Sequence, residues 1–278
     1  MPIAISNLAL PEVAGAAGFE PLIDFGLDGV EVAPTRIAPW GHLTPERTKE
    51  YRHILDDMGL KVPALQAILF GVEGVALLKS TGEFSAMRDH LDRVGEIGAL
   101  LGASVAVFGS PLQRDCSHLD AATALSLGAE RLEQLAAVVG QYDMVLGIEP
   151  VPTFYRGTFL QTWQEVYALV EQVEHPALAC HLDIGCVTLG GGSIQEAISC
   201  LGSDIAHFHV SERSLGSFEH PEFEHARAAA ALETVGYRGW CSVEMIGQGS
   251  RQLEDAAVAI AFSRSLYGGV SSPCVPEA

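Results

Sequence analysis

Four residues that could bind a cation stand at the ends of four short apolar runs in the second half of this chain. VLGIEP carries Glu149, LACHLD carries Asp183, IAHFHV carries His209 and WCSVEM carries Glu244. They fall 34, 26 and 35 residues apart, each about one strand-and-helix unit of a fold that repeats that unit eight times in roughly 250 residues. Three carboxylates and an imidazole brought together repel one another and raise their pKa values unless a cation neutralises them. A divalent metal would do so. Oxygen-rich ligation with a single His suits Mn2+ first, with Mg2+, Co2+ and Zn2+ also compatible. Any one of the four alone would read as a solvated loop residue or half of an ion pair. Four at the same place in four successive units point to one metal centre.

The elements that would have to position them recur along the whole chain. Strands are expected at Pro2–Ala9, Gly29–Ala33, Lys61–Ile68, Ser104–Phe108, Val145–Pro150, Leu178–Asp183, Ile205–Val210 and Trp240–Met245. Each is a short run rich in Val, Ile or Leu, bounded by Gly, Pro or polar residues. Stretches with apolar residues three and four apart lie between them, such as HLDRVGEIGALLG (His90–Gly102) and LGAERLEQLAAVVGQY (Leu127–Tyr142), and these read as helices. Gly59, Gly102 and Gly236 stand where helix C-termini are expected. Alternating strands and helices give a parallel sheet, and near-continuous apolar strands give one buried on both faces. Eight units in this length, with no G-x-G-x-x-G after the first strand, favour a closed (β/α)8 TIM barrel over an open dinucleotide-binding sheet. Residues 1–270 would form this single barrel and 271–278 (SSPCVPEA) a loose tail.

Such barrels place their sites where the strands run into loops, so the quartet should converge over half of the barrel mouth. Residues two apart in a strand share a face. His181 and His207, two before Asp183 and His209, should therefore also point inward, one layer deeper, and orient the ligands. Glu31, Gln66 and Arg213 join these two histidines as the candidates for binding substrate. Glu31 ends strand two and either faces the mouth or pairs with an Arg such as Arg36. Gln66 and Asn7 lie in strands three and one. Trp40 is a pocket wall or core under its loop. Arg114 would hold an anionic group of the substrate, or form a surface ion pair. The histidines of helices and loops, His225 among them, are expected mostly at the surface.

Bulk properties narrow the function. The 278 residues are 48% hydrophobic, enough for a large core. No run approaches the roughly 20 apolar residues of a membrane span, and the start, MPIAISNLALPE, lacks the pattern of a signal peptide. Sixteen Lys and Arg against 35 Asp and Glu give a formal charge of −19, and with no basic stripe the chain should not bind nucleic acid. The six cysteines form no C-x-x-C pair, which suits a reducing, cytoplasmic setting. The Ala-rich segment Arg227–Val235 would pack against a second copy, in a homodimer or homotetramer, or on its own barrel.

The succession GIEP, HLDIG, HFHVSE and GYRGWCSVEM, with ISNLAL, DGVEVAPT and VAVFGSP before it, resembles the xylose isomerase-like barrel superfamily of sugar isomerases and epimerases. D-tagatose 3-epimerase and hydroxypyruvate isomerase are its nearest branches. The resemblance implies a small sugar or keto-sugar substrate and one divalent metal, held by Glu149, Asp183, His209 and Glu244. It also implies that Glu149 and Glu244 move the proton through an enediolate. The chain departs from the epimerases three residues after Asp183, where their His is replaced by Cys186. It departs again after His209, where Arg213 comes sooner than their Arg, and Tyr155 or Arg156 would have to grip the sugar after Glu149. The same site could serve a dehydratase of the dehydroshikimate or keto-inositol type, or the barrel could be a non-catalytic binding subunit. The abasic-site endonuclease branch is disfavoured by the charge and by the lack of His at the ends of strands two and three.

Overall fold

The structure, a computed structural model, describes residues 1–269; the expected tail, 271–278, lies outside the described residues. Eight parallel strands are present: β1 (Ile3–Ser6), β2 (Gly29–Glu31), β3 (Ala64–Leu65), β4 (Val105–Phe108), β5 (Val145–Ile148), β6 (Leu178–Asp183), β7 (Ile205–Ser211) and β8 (Cys241–Glu244). All eight expected strands form, most of them a residue or more shorter than the apolar runs that encode them. They pair in the order β2-β1-β8-β7-β6-β5-β4-β3. The two ends of that series meet through the parallel bridges Gly29↔Lys61 and Val32↔Leu65, and Val30 N–H donates to the Lys61 carbonyl at 2.7 Å. These bridges all but close the barrel.

Around it lie α1 (Pro45–Asp57), α2 (Thr81–Leu101), α3 (Ala121–Gly140), α4 (Trp163–Val173), α5 (Ile184–Leu189), α6 (Ile194–Leu201), α7 (His225–Thr234) and α8 (Gln252–Tyr267). The helices do not alternate one-to-one with the strands. After β1 the crossover is a 3-10 segment, Ala16–Phe25, with Pro21 inside it; a proline there has no N–H for an α-helical bond. Two short helices, α5 and α6, follow β6. Helix starts are fixed by side chains: Ser80 with Glu83 and Thr162 with Glu165 make reciprocal capping boxes at α2 and α4. Gly59, Gly102 and Gly236 all adopt positive φ at helix ends, as their positions predict.

The main core lies between sheet and helices, with Leu65, Leu132, Leu135, Ile198, Leu232 and Ile260 at full burial. The Ala-rich face of α7 is used here: Ala228, Ala231 and Leu232 are buried in the chain's own barrel. The barrel interior differs from side to side. Ala64, Val105 and Val107 form a small apolar cluster in it, whereas Ser6, Glu31, Gln66, His181, His207 and Ser242 are polar and buried. A buried polar set of this size needs partners, and those partners build the site. Among the described residues no helix is long and apolar enough to cross a membrane.

Candidate active site

Strand register brings the quartet together. Asp183 on β6 lies opposite His209 on β7, and Glu244 on β8 opposite Ser211, two residues beyond His209. Glu149 follows directly on β5. One donor atom from each of Glu149, Asp183, His209 and Glu244 lies within 4.8 Å of the others. Glu149, Asp183 and Glu244 line a cavity of about 280 Å3 at the C-terminal end of the strands, with Ser110, Pro111, Val151, Tyr155, Cys186 and Leu215. A second cavity at the same end, about 390 Å3, lies beside Leu8, Arg36, Ala67 and Ile246, and cavities of about 430 and 470 Å3 open at the opposite end, beside Leu178 and Val145. Among the described residues, the clusters able to hold a metal all involve Glu31, Glu149 or His209 and lie away from them.

Each donor is oriented by a different device. Asp183 is both the last residue of β6 and the N-cap of α5. Its Oδ1 accepts from the Cys186 N–H at 2.5 Å, while Oδ2 is buried with no hydrogen-bond partner. His209 Nε2 donates to the two oxygens of Glu31 at 2.9 and 3.1 Å. That bond leaves the other ring nitrogen, Nδ1, facing the carboxylates, 3.3 Å from Glu244 Oε2 and 3.8 Å from Asp183 Oδ2. Nδ1 makes no hydrogen bond. Glu149 has its main-chain carbonyl fixed by Arg114 Nη1 at 3.0 Å, and the Cys186 thiol donates to its Oε1 at 3.6 Å. Its other oxygen fits only because residue 109 is glycine: a Cβ there would lie 2.2 Å from Glu149 Oε2. Gly109→Ala should therefore displace this carboxylate and cost about a hundredfold in activity with the fold retained. Steady-state kinetics with circular dichroism tests this, and wild-type turnover would contradict it.

The electrostatics call for a cation. Without one, burial and then the charges of Glu244 and Asp183 lift the Glu149 pKa to about 8, and burial followed by Glu244 raises that of Asp183. Burial alone would depress the His209 pKa, but the carboxylates of Glu31 and Glu244 outweigh it and hold the ring well above its usual value. Two orphaned buried atoms and a cluster of strained carboxylates fit one divalent ion, with Glu149, Asp183 and Glu244 giving oxygen and His209 giving Nδ1.

Beneath the quartet, Glu31 is fully buried and also accepts from His207 Nε2 at 2.9 Å. It neither faces the mouth nor pairs with Arg36, whose guanidinium donates to the Leu10 carbonyl. His181 lies between: its Nε2 is 3.9 Å from Glu149 Oε1, and its ring meets His209 edge-on at 4.2 Å. Burial, then the neighbouring His209 and His207, push its pKa well below the usual value, so it is neutral packing under the site. His181, His207 and Glu31 lie directly beneath the quartet. Gln66 is buried and donates to the Ser6 hydroxyl, away from the cavity lining. Arg213 is turned outward, 3.5 Å from Glu222 and over the Phe154 ring. Arg114 is at neither expected place: it is 1% exposed and its charge sits against Phe108 and behind Glu149. Trp40 packs on His90 and donates to the Phe70 carbonyl, away from the pocket. His225 is buried and not at the surface. It bridges the Tyr267 hydroxyl at 2.9 Å and Glu212 at 2.8 Å. Gly109 lies in VAVFGSP but is not singled out there for its glycine, and Leu215 carries no motif signal. A Gly directly after a strand end is the cue that would have found the first.

A family model for the xylose isomerase-like TIM barrel matches residues 19–266. No curated protein matches the chain in sequence. Among solved structures, D-psicose 3-epimerase in the presence of D-fructose superposes with a TM-score of 0.81 at 20% identity, covering 97% of this chain and 100% of that one. D-psicose 3-epimerase with D-tagatose, from Clostridium cellulolyticum H10, gives 0.81 at 17% identity over 96% and 99%. 3-Keto-D-glucoside 4-epimerase from E. coli gives 0.78 at 14% over 95% and 99%. At these identities the likeness is one of fold.

Proposed function

Because the chain belongs to the xylose isomerase-like TIM barrel family, we propose that it is a divalent-metal-dependent isomerase or epimerase of a small sugar or keto-sugar, Mn2+ being the first choice of ion. The observation that carries this is the pair Glu149 and Glu244 on one cavity, with Asp183 between them on its lining and His209 within reach of all three. Bound by these four residues, the cation would polarise a carbonyl and its neighbouring hydroxyl and so acidify the C–H beside them.

The chain's own groups do the rest. Asp183 and His209 are anchors. Glu149 and Glu244, on β5 and β8, approach the cavity from different strands, so one can take the proton and the other return one to the resulting enediolate. Return to the opposite face of the same carbon is epimerisation; return to the neighbouring carbon is isomerisation. Each carboxylate must reach the proton it moves. Val151, Pro111 and Leu215 line the cavity and keep water from the enediolate. Incubation with Mn2+ and a panel of ketoses in D2O tests the reading. Deuterium should enter the carbon beside the carbonyl, and a product that has lost a hydroxyl would instead mark a dehydratase. No exchange with any compound would overturn the reading. Assembly as a homodimer or homotetramer in the cytoplasm belongs to the same proposal, and sedimentation reads the oligomer directly.

Metal binding should also show in stability. The folded chain keeps a proton on Glu149 up to about pH 8, whereas the unfolded chain loses it near 4.3. With more protons on the folded state, stability falls as pH rises through that window. A cation takes the proton's place. The gain in Tm on adding Mn2+ should therefore be larger at about pH 8 than at about pH 5.5. Thermal melts at the two pH values check this, and an equal or larger gain at the lower one would contradict it.

A further inference from the structure

The cavity above the quartet has an acidic floor and an apolar wall. Glu149, Asp183 and Glu244 form the floor, and Ser110, Pro111, Val151, Tyr155, Cys186 and Leu215 stand around it. The polar atoms of that wall are few: the Ser110 and Tyr155 hydroxyls and the Cys186 thiol. The Tyr155 hydroxyl accepts from the Ser214 N–H at 2.9 Å, and the Cys186 thiol points to Glu149. Of the arginines that could grip a hydroxyl-rich or phosphorylated end, Arg213 lies outside with Glu222, Arg114 is held by the Glu149 carbonyl, and Arg156 is exposed and does not line the cavity. At about 280 Å3 the space is at or below the low end of ligand pockets, roughly 300–1,000 Å3.

The wall is also built at a conformational cost. Ser214 and Leu215 both adopt left-handed backbone, φ 56° and 55°, a region that bulky L-residues rarely enter. Three contacts hold them there: Ser214 N–H on Tyr155, Leu215 N–H on the Glu212 carbonyl at 2.9 Å, and the Ile246 N–H on the Leu215 carbonyl at 3.0 Å. Glu212 is in turn fixed by His225 at 2.8 Å. Strain held this firmly beside a site points to a function for the residue it places, and the residue placed is a leucine.

We propose that the substrate is a small hydroxyketone or deoxygenated keto-sugar. Its hydroxycarbonyl end would lie over the acidic floor and its other end, apolar, against Val151, Tyr155, Cys186 and Leu215. This rests on the proton-transfer reading above and narrows its substrate class. A fully hydroxylated free hexose would press hydroxyl groups on a wall with few free partners, and unpaired buried polar groups discriminate far more strongly than a missing methylene. An alkyl or aryl group there gains from leaving water.

Two probes on the full chain with Mn2+ test this: D-fructose and hydroxymethyl isobutyl ketone. Binding is read from paramagnetic broadening of each probe's proton signals, and chemistry from deuterium uptake beside the carbonyl. The ketone should be broadened at a concentration at least about tenfold lower than D-fructose. Leu215→Asn, which tolerates the left-handed backbone and adds an amide, should narrow that ratio severalfold. Equal or tighter binding of D-fructose, binding of neither probe, or a ratio unchanged in L215N would each overturn the proposal. Preferential binding of the ketone with no deuterium uptake from either probe would leave the wall's specificity standing and overturn the proton-transfer reading instead.

Discussion

Glu244→Gln should lower the rate of proton transfer by about 10²–10⁴-fold, the usual contribution of a positioned acid or base, while the barrel stays folded. The side chain is on the cavity, 18% exposed, with Oε2 at 3.3 Å from His209 Nδ1. Glutamine keeps its shape and nearly its volume, so nothing in the core is disturbed, but it can neither take up a proton nor add a negative charge. Two losses are then possible, and they separate experimentally. Mn2+ affinity, followed by electron paramagnetic resonance, reports the ligand, and deuterium uptake at saturating Mn2+ reports the base. The rate should remain low even when the metal site is filled. Glu149→Gln should fall by a similar factor if, as proposed, each carboxylate handles one of two proton positions. Turnover within a few-fold of wild type in E244Q at saturating metal would remove its role.

The quartet itself was legible in the sequence because its signal is local. A carboxylate or imidazole at the end of an apolar run, repeated at one-unit spacing, needs only the period of the fold to be interpreted. The strands were legible for the same reason, although β3 is shortened to Ala64–Leu65. What the local pattern could not carry was the contact between distant units. Glu31 meets His207 and His209 across 176 and 178 residues. Period two says that the two histidines share a face, but nothing in GVEVAP says that Glu31 ends below the ligands instead of at the mouth. Arg114 looked like a grip for an anionic group or half of a surface ion pair, because its burial depends on the Glu149 carbonyl, 35 residues on. Leu215 lay beyond reach for another reason: left-handed backbone is ordinarily announced by Gly or Asn, and RSLG shows neither at the residues that adopt it.

Glu31 is the position where such a distant contact has the largest expected consequence. Its carboxylate is fully buried and accepts from two imidazoles. Burial by itself would raise its pKa, but His209 and His207 outweigh that and hold it well below the usual range. As long as it is ionised it accepts only, so the His209 proton stays on Nε2 and the Nδ1 lone pair faces the metal position. Glu31→Gln breaks this logic with almost no change of shape. An amide has one accepting and one donating end, and a donating NH2 against His209 moves that ring's proton to Nδ1. Mn2+ affinity should fall by about 10–100-fold, the usual effect of losing a group that orients a ligand. Glu31→Leu leaves two buried donors with no acceptor and should cost about 3–5 kcal/mol of stability. The sign of the pH dependence follows from the lowered pKa. Glu31 contributes its stability above the unfolded carboxylate value and loses it as pH falls through the folded one. The stability gap between wild type and E31L should therefore be full at neutral pH and close toward strong acid. Calorimetric Mn2+ titration of E31Q and denaturant melts of E31L measure the two effects. Wild-type affinity in E31Q would show that His209 is oriented without Glu31, and the support beneath the site would then rest on packing of the three imidazoles alone.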